Sequence, residues 1–170
     1  MHLFLTGEKR VGKTTIIQSF LSQTGLTADG FVTFWEQGED DRMNLYLSKY
    51  CGQTSSEKRY LAARNNIDKS RHSEDLTNVF NVYGTEILSG SGNCDVIVMD
   101  ELGFLETKAQ AFQQAVATRI SGDVPILGVI KPARTAFLDA IRDDPRVEIR
   151  EVTEANRAAV LAWLLERNWR

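Results

Sequence analysis

The chain has 170 residues, 42% of them hydrophobic, with 20 Lys and Arg against 23 Asp and Glu for a formal charge of −3. That is enough apolar material for one compact domain over 1–170, and it excludes nucleic acid as the main partner, because a protein that coats nucleic acid needs a basic surface to displace counterions. Residues 1–7 lack the basic flank and long apolar core of a secretion signal, and nothing later has the length of a membrane-spanning helix, so no membrane partner and a cytoplasmic location are expected.

The chain opens on an apolar run, Leu3-Phe4-Leu5, that reads as a strand. The eight residues Gly7-Glu8-Lys9-Arg10-Val11-Gly12-Lys13-Thr14 then fill the pattern G-x-x-x-x-G-K-[ST] without a gap. A loop of this kind turns backbone N–H groups inward around phosphates, its lysine reaches the β- and γ-phosphates, and its hydroxyl residue offers an oxygen to Mg²⁺. Gly7 to Thr14, with Thr15 beside them, are therefore the expected nucleotide-binding residues; Lys13 also serves catalysis and Thr14 is a metal ligand. The N-terminus of the next helix adds partial positive charge. Lys9 and Arg10 are expected to point to solvent or to a protein partner while their backbone binds.

That helix is predicted over 14–23, burying Ile16, Ile17, Phe20 and Leu21, with Gly25 placed to end it. Gly30 opens a β-branched and aromatic strand over 31–35, a turn follows over 38–41, and 43–47 alternates apolar with polar residues, which together make an inserted β-hairpin. Its aromatics Phe31, Phe34, Trp35 and Tyr46 are expected to pack one face on the core. From 51 to 73 the composition is polar and without periodicity, until a helix begins near 74 and runs toward 88. Ser89-Gly90-Ser91-Gly92-Asn93 is a break, and 95–101 is a continuous apolar run ending in two carboxylates, as in a central parallel strand. A helix over 108–120, a strand over 126–130, a helix over 133–141, a strand over 147–152 and a last helix capped by Thr153 complete the chain. Strand and helix in alternation give an α/β fold with a mostly parallel sheet flanked by helices. Cys51, Cys94, His2 and His72 have no metal-ligand spacing and read as structural.

The run Val96-Ile97-Val98-Met99-Asp100-Glu101 has the form of a Walker B strand. Asp100 at its carboxyl end would support Mg²⁺, and Glu101 next to it could orient and deprotonate a water for in-line attack on a γ-phosphate. Lys131 ends the 126–130 strand at the same edge of the sheet and Arg134 follows; either could contact phosphate or sense hydrolysis.

Three further segments, Gly30-Phe31-Val32-Thr33, Asp100-Glu101-Leu102-Gly103-Phe104-Leu105-Glu106 and Val152-Thr153-Glu154-Ala155-Asn156-Arg157, look like the G-F-x-T, D-E-[IL]-G-x-[ML]-E and V-T-x-x-N-R segments of a known group. In these segments and in the phosphate loop the chain resembles the small P-loop nucleoside-triphosphatases of the cancer-related and thermophilic NTPase family. The resemblance implies a RecA-like, additional-strand core and Mg²⁺-dependent hydrolysis of nucleoside triphosphates, ATP, GTP or others, to diphosphate and phosphate, with broad base tolerance and slow turnover. By position it implies phosphate binding by Gly7 to Thr14, metal support by Asp100, water activation by Glu101, and a Gly103 that lets the following loop pass close to the nucleotide. The chain departs from the family at Glu8-Lys9-Arg10-Val11, where Pro or Gly is common, at Phe34 and Trp35, where acidic residues are common, and over 59–69. Two other functions share these motifs. A kinase would use Glu101 on an acceptor hydroxyl under a lid of Arg59, Arg64 and Arg71, and a nucleotide-gated binding protein would present a surface to a partner.

Overall fold

Seven strands pair into one sheet in the order β4-β3-β2-β5-β6-β1-β7. They are β1 (His2–Thr6), β2 (Ala28–Gln37), β3 (Met43–Cys51), β4 (Thr54–Arg64), β5 (Val96–Leu102), β6 (Ile126–Ile130) and β7 (Val147–Glu151). The computed structural model describes residues 1–38, 43–51, 54–64 and 73–169. Strands β2, β5, β6, β1 and β7 run parallel, and β3 and β4 extend the sheet antiparallel beyond β2. One strand, β6, lies between β1, which leads into the phosphate loop, and β5, which carries Asp100 and Glu101 near its carboxyl end.

Helices cover both faces because the strands are apolar on both. Leu3 and Leu5 of β1 pack with Val96, Val98, Leu127 and Val129 beneath α1 (Lys13–Thr24) and α6 (Arg157–Leu165). On the other face Phe4, Phe31, Ile97, Met99, Ile126 and Ile130 pack against α2 (Ser73–Val79), α3 (Thr85–Gly90), α4 (Gln110–Ile120) and α5 (Ala136–Arg142). Within α1 the buried side chains are Ile16, Ile17, Phe20 and Leu21, one stripe at helical spacing. The helix stops at Gly25, whose φ of 64° only glycine adopts readily and whose N–H donates to the Leu21 carbonyl at 3.0 Å.

The expected pairing of β2 with β3 is present, from Asp29 opposite Cys51 to Gln37 opposite Met43. Of the turn expected over 38–41, all but Gly38 lies outside the described residues, as does His72. The polar stretch after Cys51 is not wholly irregular: Thr54–Arg64 forms β4. Its apolar residues are confined to Tyr60-Leu61-Ala62-Ala63, where Ala62 is buried and Tyr60 stacks on Tyr83 with ring centroids 3.7 Å apart. A strand anchored over half its length shows little alternation. The helix expected over 74–88 is α2 and α3 joined by a π-helical turn, Phe80–Gly84, that sets Gly84 against the Phe112 ring. Asn81 in that turn accepts from the N–H groups of Ala111 at 3.0 Å and Phe112 at 3.3 Å, which caps α4 from a neighbouring helix. Helix α5 begins later than its apolar pattern suggests because Thr135 is extended and accepts from Leu138 N–H at 3.2 Å. The last helix starts after Asn156 rather than at Thr153, with residues 154–156 spent in a turn and no side chain capping it.

At the β7 edge, two cations approach the Trp163 ring of α6, Arg150 at 4.4 Å and Arg167 at 4.0 Å from its centroid. Arg167 also pairs with Glu148 at 2.9 Å.

Gly30 has φ +130°, and a β-carbon there would fall on the Val98 carbonyl of the adjacent strand. Gly30→Ala must therefore push β2 from β5, and a loss of about 2–4 kcal/mol is expected in urea unfolding.

Candidate active site

The phosphate loop turns back on itself through three residues of positive φ: Gly7 at 132°, Arg10 at 64° and Gly12 at 94°. Glycine is needed at the first for a second reason, since a β-carbon would land on the Val152 carbonyl that follows β7. Arg10 carries the left-handed conformation without glycine's freedom, at a cost of about 1–2 kcal/mol. Glu8, Lys9 and Arg10 are exposed, as expected for the two cations, and Thr14 and Thr15 are exposed in the first turn of α1. Lys13 is buried and folds over its own loop, where Nζ donates to the carbonyls of Gly7 at 2.9 Å and Glu8 at 2.5 Å. Burial lowers its pKa, against the charges of Glu101 and Asp100.

Asp100 stands in register between Val32 of β2 and Val129 of β6, and it is 4% exposed. The Thr14 side chain stands close enough to this carboxylate to lower its pKa, so the structure brings the two expected metal ligands together. Burial, with Glu101's charge added, pushes the Asp100 pKa up to about 6; Thr14 and Lys13 work in the opposite direction. The β5–β6 register breaks between Asp100 and Leu102, so Glu101 sits at an irregularity of the kind that re-aims a side chain. The Asp100–Glu101 peptide bond is cis. Glu101 N–H donates to Thr33 Oγ1 at 3.3 Å, and its Oε1 lies 2.8 Å from Lys131 Nζ.

Lys131 is thus brought to the carboxylate expected to act on water. Its side chain runs past Gly103, where a β-carbon would sit 3.0 Å from Cδ, and its ammonium lies 5.5 Å from the Phe104 ring. Arg142 of α5 holds the Lys131 carbonyl. Arg134 is not drawn in; it is 77% exposed and its Nε is 3.3 Å from Asp139 at the base of α5. Arg59 is committed to Glu36 at 2.6 Å across the β-meander, and Arg71 lies outside the described residues.

Two groups at the site escape sequence reasoning. Glu106, the last residue of the acidic signature, is 2% exposed and accepts from Gly103 N–H at 2.9 Å, which sets the turn after β5. Burial pushes its pKa up to about 7, with hydrogen bonds and Lys131 opposing. A carboxylate six residues beyond Asp100 gives no sign by itself that it is buried. Tyr50 of β3 pairs with Gly30 of β2, which pairs in turn with Val98 two residues before Asp100. Its hydroxyl is buried without a hydrogen-bond partner among the described residues, and burial, with Asp100's charge added, raises its pKa.

These donors suit Mg²⁺. A carboxylate and a hydroxyl in contact, with a further unsatisfied hydroxyl nearby, offer oxygen only, and Mg²⁺ is held by one or two carboxylates while waters and substrate phosphates complete its shell.

A phosphate loop and an acidic strand end that meet across one intervening strand are the arrangement of P-loop nucleotide-binding proteins of the additional-strand class. Comparison with known proteins narrows the class. The family model described as NTPase matches residues 2–165. The cancer-related nucleoside-triphosphatase homolog of Bos taurus is 31% identical over 177 residues, which span 94% of this chain and 92% of that protein. The solution structure of a human cancer-related nucleoside triphosphatase matches with a TM-score of 0.71 at 28% identity, over 98% of this chain and 99% of that one. The crystal structure of THEP1 from the hyperthermophile Aquifex aeolicus shares the fold, with a TM-score of 0.71 at 22% identity over 98% of this chain and 100% of that one. The chain belongs to this NTPase family.

Glu106→Gln keeps the acceptor for Gly103 N–H and removes the ionisation. Because the folded-state pKa is raised from 4.5 to about 7, the wild-type contribution is complete below 4.5 and is lost as pH rises through 7. Between pH 4.5 and 8 wild type should therefore lose up to about 3 kcal/mol relative to Glu106→Gln in denaturant titrations, since each pKa unit is worth about 1.4 kcal/mol. Tyr50→Phe removes an unsatisfied buried hydroxyl and should raise thermal stability, by about 1 kcal/mol.

Proposed function

We propose that the chain hydrolyses nucleoside triphosphates to the diphosphate and phosphate, with Glu101 taking the proton of the attacking water. The relatives' names, all nucleoside-triphosphatases, support the reaction. The observation that carries the residue assignment is the placement of Glu101: it follows the Asp100 that meets Thr14, and its N–H and carboxylate are tethered to Thr33 and Lys131.

The loop from Gly7 to Thr15 holds the phosphates, and Lys13, already folded over the loop, places a positive charge against the β- and γ-oxygens. Thr14 and Asp100 would hold Mg²⁺, which would supply neutralising charge to the triphosphate. Glu101 accepts the proton from water in line with the γ-phosphorus, which general-base catalysis makes worth about 10²–10⁴-fold. Lys131 supplies positive charge near the same point, and as the group paired with Glu101 it orients the base. Gly103 keeps the loop after β5 close to this cluster. Hydrolysis is favoured over transfer to an acceptor because Arg59 is bound to Glu36 on the meander rather than held as a lid. Among the described residues no helix is long and apolar enough to cross a membrane.

The test is phosphate release from the Mg²⁺ complexes of ATP, GTP, CTP and UTP without an acceptor. Wild type should release phosphate, and EDTA should stop it. Lys13→Ala should weaken nucleotide binding by about 100-fold. Glu101→Gln should bind within about threefold of wild type and turn over at least about 100-fold more slowly. Binding by wild type without phosphate release would sink the hydrolase reading.

A further inference from the structure

We propose that Arg157 holds the nucleoside end of the substrate, its guanidinium lying flat on the base. The inference rests on the phosphate-loop reading above and extends it to a part of the substrate that no residue has yet been assigned to hold.

The direction of the bound nucleotide follows from the sheet order. β1 has β6 and then β5 on one side and β7 on the other. Thr14 meets Asp100 on the β5 side, where Lys131 and Glu101 also stand, so the γ-phosphate end lies there. The α-phosphate and nucleoside must leave the loop on the opposite side, over the connection from β7 to α6.

That connection is built tightly onto the loop. Val152 N–H donates to the Thr6 carbonyl at 2.8 Å, and the Val152 carbonyl abuts Gly7. Asn156 fixes the turn from within, accepting from Thr153 N–H at 2.8 Å and donating to the Glu151 carbonyl at 3.0 Å. The next residue is Arg157. A β-carbon at Gly12 would lie 3.1 Å from its Cδ and 3.5 Å from its Nη1, so the side chain crosses the phosphate loop at the glycine before Lys13. Its guanidinium is exposed and makes no hydrogen bond, ion pair or ring contact among the described residues, whereas Arg142, Arg146, Arg150 and Arg167 are each engaged.

A planar cation at that place has a definite use. Guanidinium groups stack on base faces, and every base has such a face, so a stacked contact adds affinity without choosing among bases. The segment Val152 to Arg157 then has a single purpose: Val152 and Asn156 set the turn beside Gly7, and Arg157 reaches from it over Gly12.

The experiment is calorimetric titration of wild type, Arg157→Ala and Arg157→Lys with Mg²⁺ and the non-hydrolysable β,γ-imido analogues of ATP, GTP and UTP, and separately with Mg²⁺ and inorganic tripolyphosphate, which has no nucleoside. Thermal unfolding of each variant runs alongside. Arg157→Ala should weaken all three nucleotides by about fivefold or more and change tripolyphosphate binding by less than about twofold. Arg157→Lys keeps the charge but not the plane, and should restore only a minor part of the loss. Equal weakening of tripolyphosphate and nucleotides would show that Arg157 braces the loop or contacts phosphate, and would overturn the inference. Unchanged nucleotide binding would overturn it too. Wild-type protein that binds neither nucleotide nor tripolyphosphate would overturn the phosphate-loop reading together with it.

Discussion

Asp100 is a carboxylate almost wholly removed from water, and the arrangement of the site follows from what that burial demands. A buried charge is costly unless polar partners answer it. Here the answer comes from the other side of an intervening strand: the Thr14 side chain stands by Asp100 and lowers its pKa, and Lys13 adds its charge. For Thr14 to reach, α1 must start directly at the crest of β1, which the positive φ values at Gly7, Arg10 and Gly12 make sterically feasible. For Asp100 to stay in place, β5 must be held between β2 and β6 to its last residue, as the pairing of Val32 and Val129 with Asp100 shows. The candidate site and the sheet are thus inseparable, because Glu101 and Leu102 belong to the strand that carries the buried acid and Gly103 follows it directly.

Several motif residues also acquire a physical meaning of their own in this frame. Gly30 allows β2 to approach the Val98 carbonyl, and three residues on, Thr33 holds the Glu101 N–H. Gly7 allows the chain after β7 to approach the loop. Glu106 folds back to the Gly103 N–H and so determines how the chain leaves β5. Each is a contact to backbone, which depends on the size or hydrogen-bonding of one residue and not on its surroundings.

Much of the fold could be read from the chain because its signals are local. The loop from Gly7 to Thr14, the stop at Gly25, the apolar run ending in Asp100-Glu101 and the strand at 126–130 each carry their meaning within a few residues. Other features were illegible because they depend on residues distant in sequence. Strand β4 is held through Tyr60, Leu61 and Ala63 opposite β3 and through Tyr83 from a later turn, so its polar first half looks like a loop. The start of α4 is capped by Asn81, some thirty residues earlier, which no inspection of 105–112 reveals. At the site, the pairing of Glu101 with Lys131 was foreseeable only as nearness at one sheet edge. The fate of Arg134, held to Asp139, turns on one ion pair in the first turns of α5. Tyr50 is buried opposite Gly30, a residue of the neighbouring strand.

The β7 edge carries a consequence for the molecule as a whole. β7 pairs with β1 on one side only, and an edge strand with unpaired amides is a template on which a foreign strand can grow. Along β7 the outward residues include Glu148, Arg150 and Glu151, and the flank toward α6 carries Trp163 with Arg150 and Arg167 beside its ring. A strand docking there would have to strip water from alternating charges and part a cluster of ring and cations. Sheet growth into fibrils is discouraged at this end by charge along the short edge strand together with the Trp163 and arginine cluster on its flank.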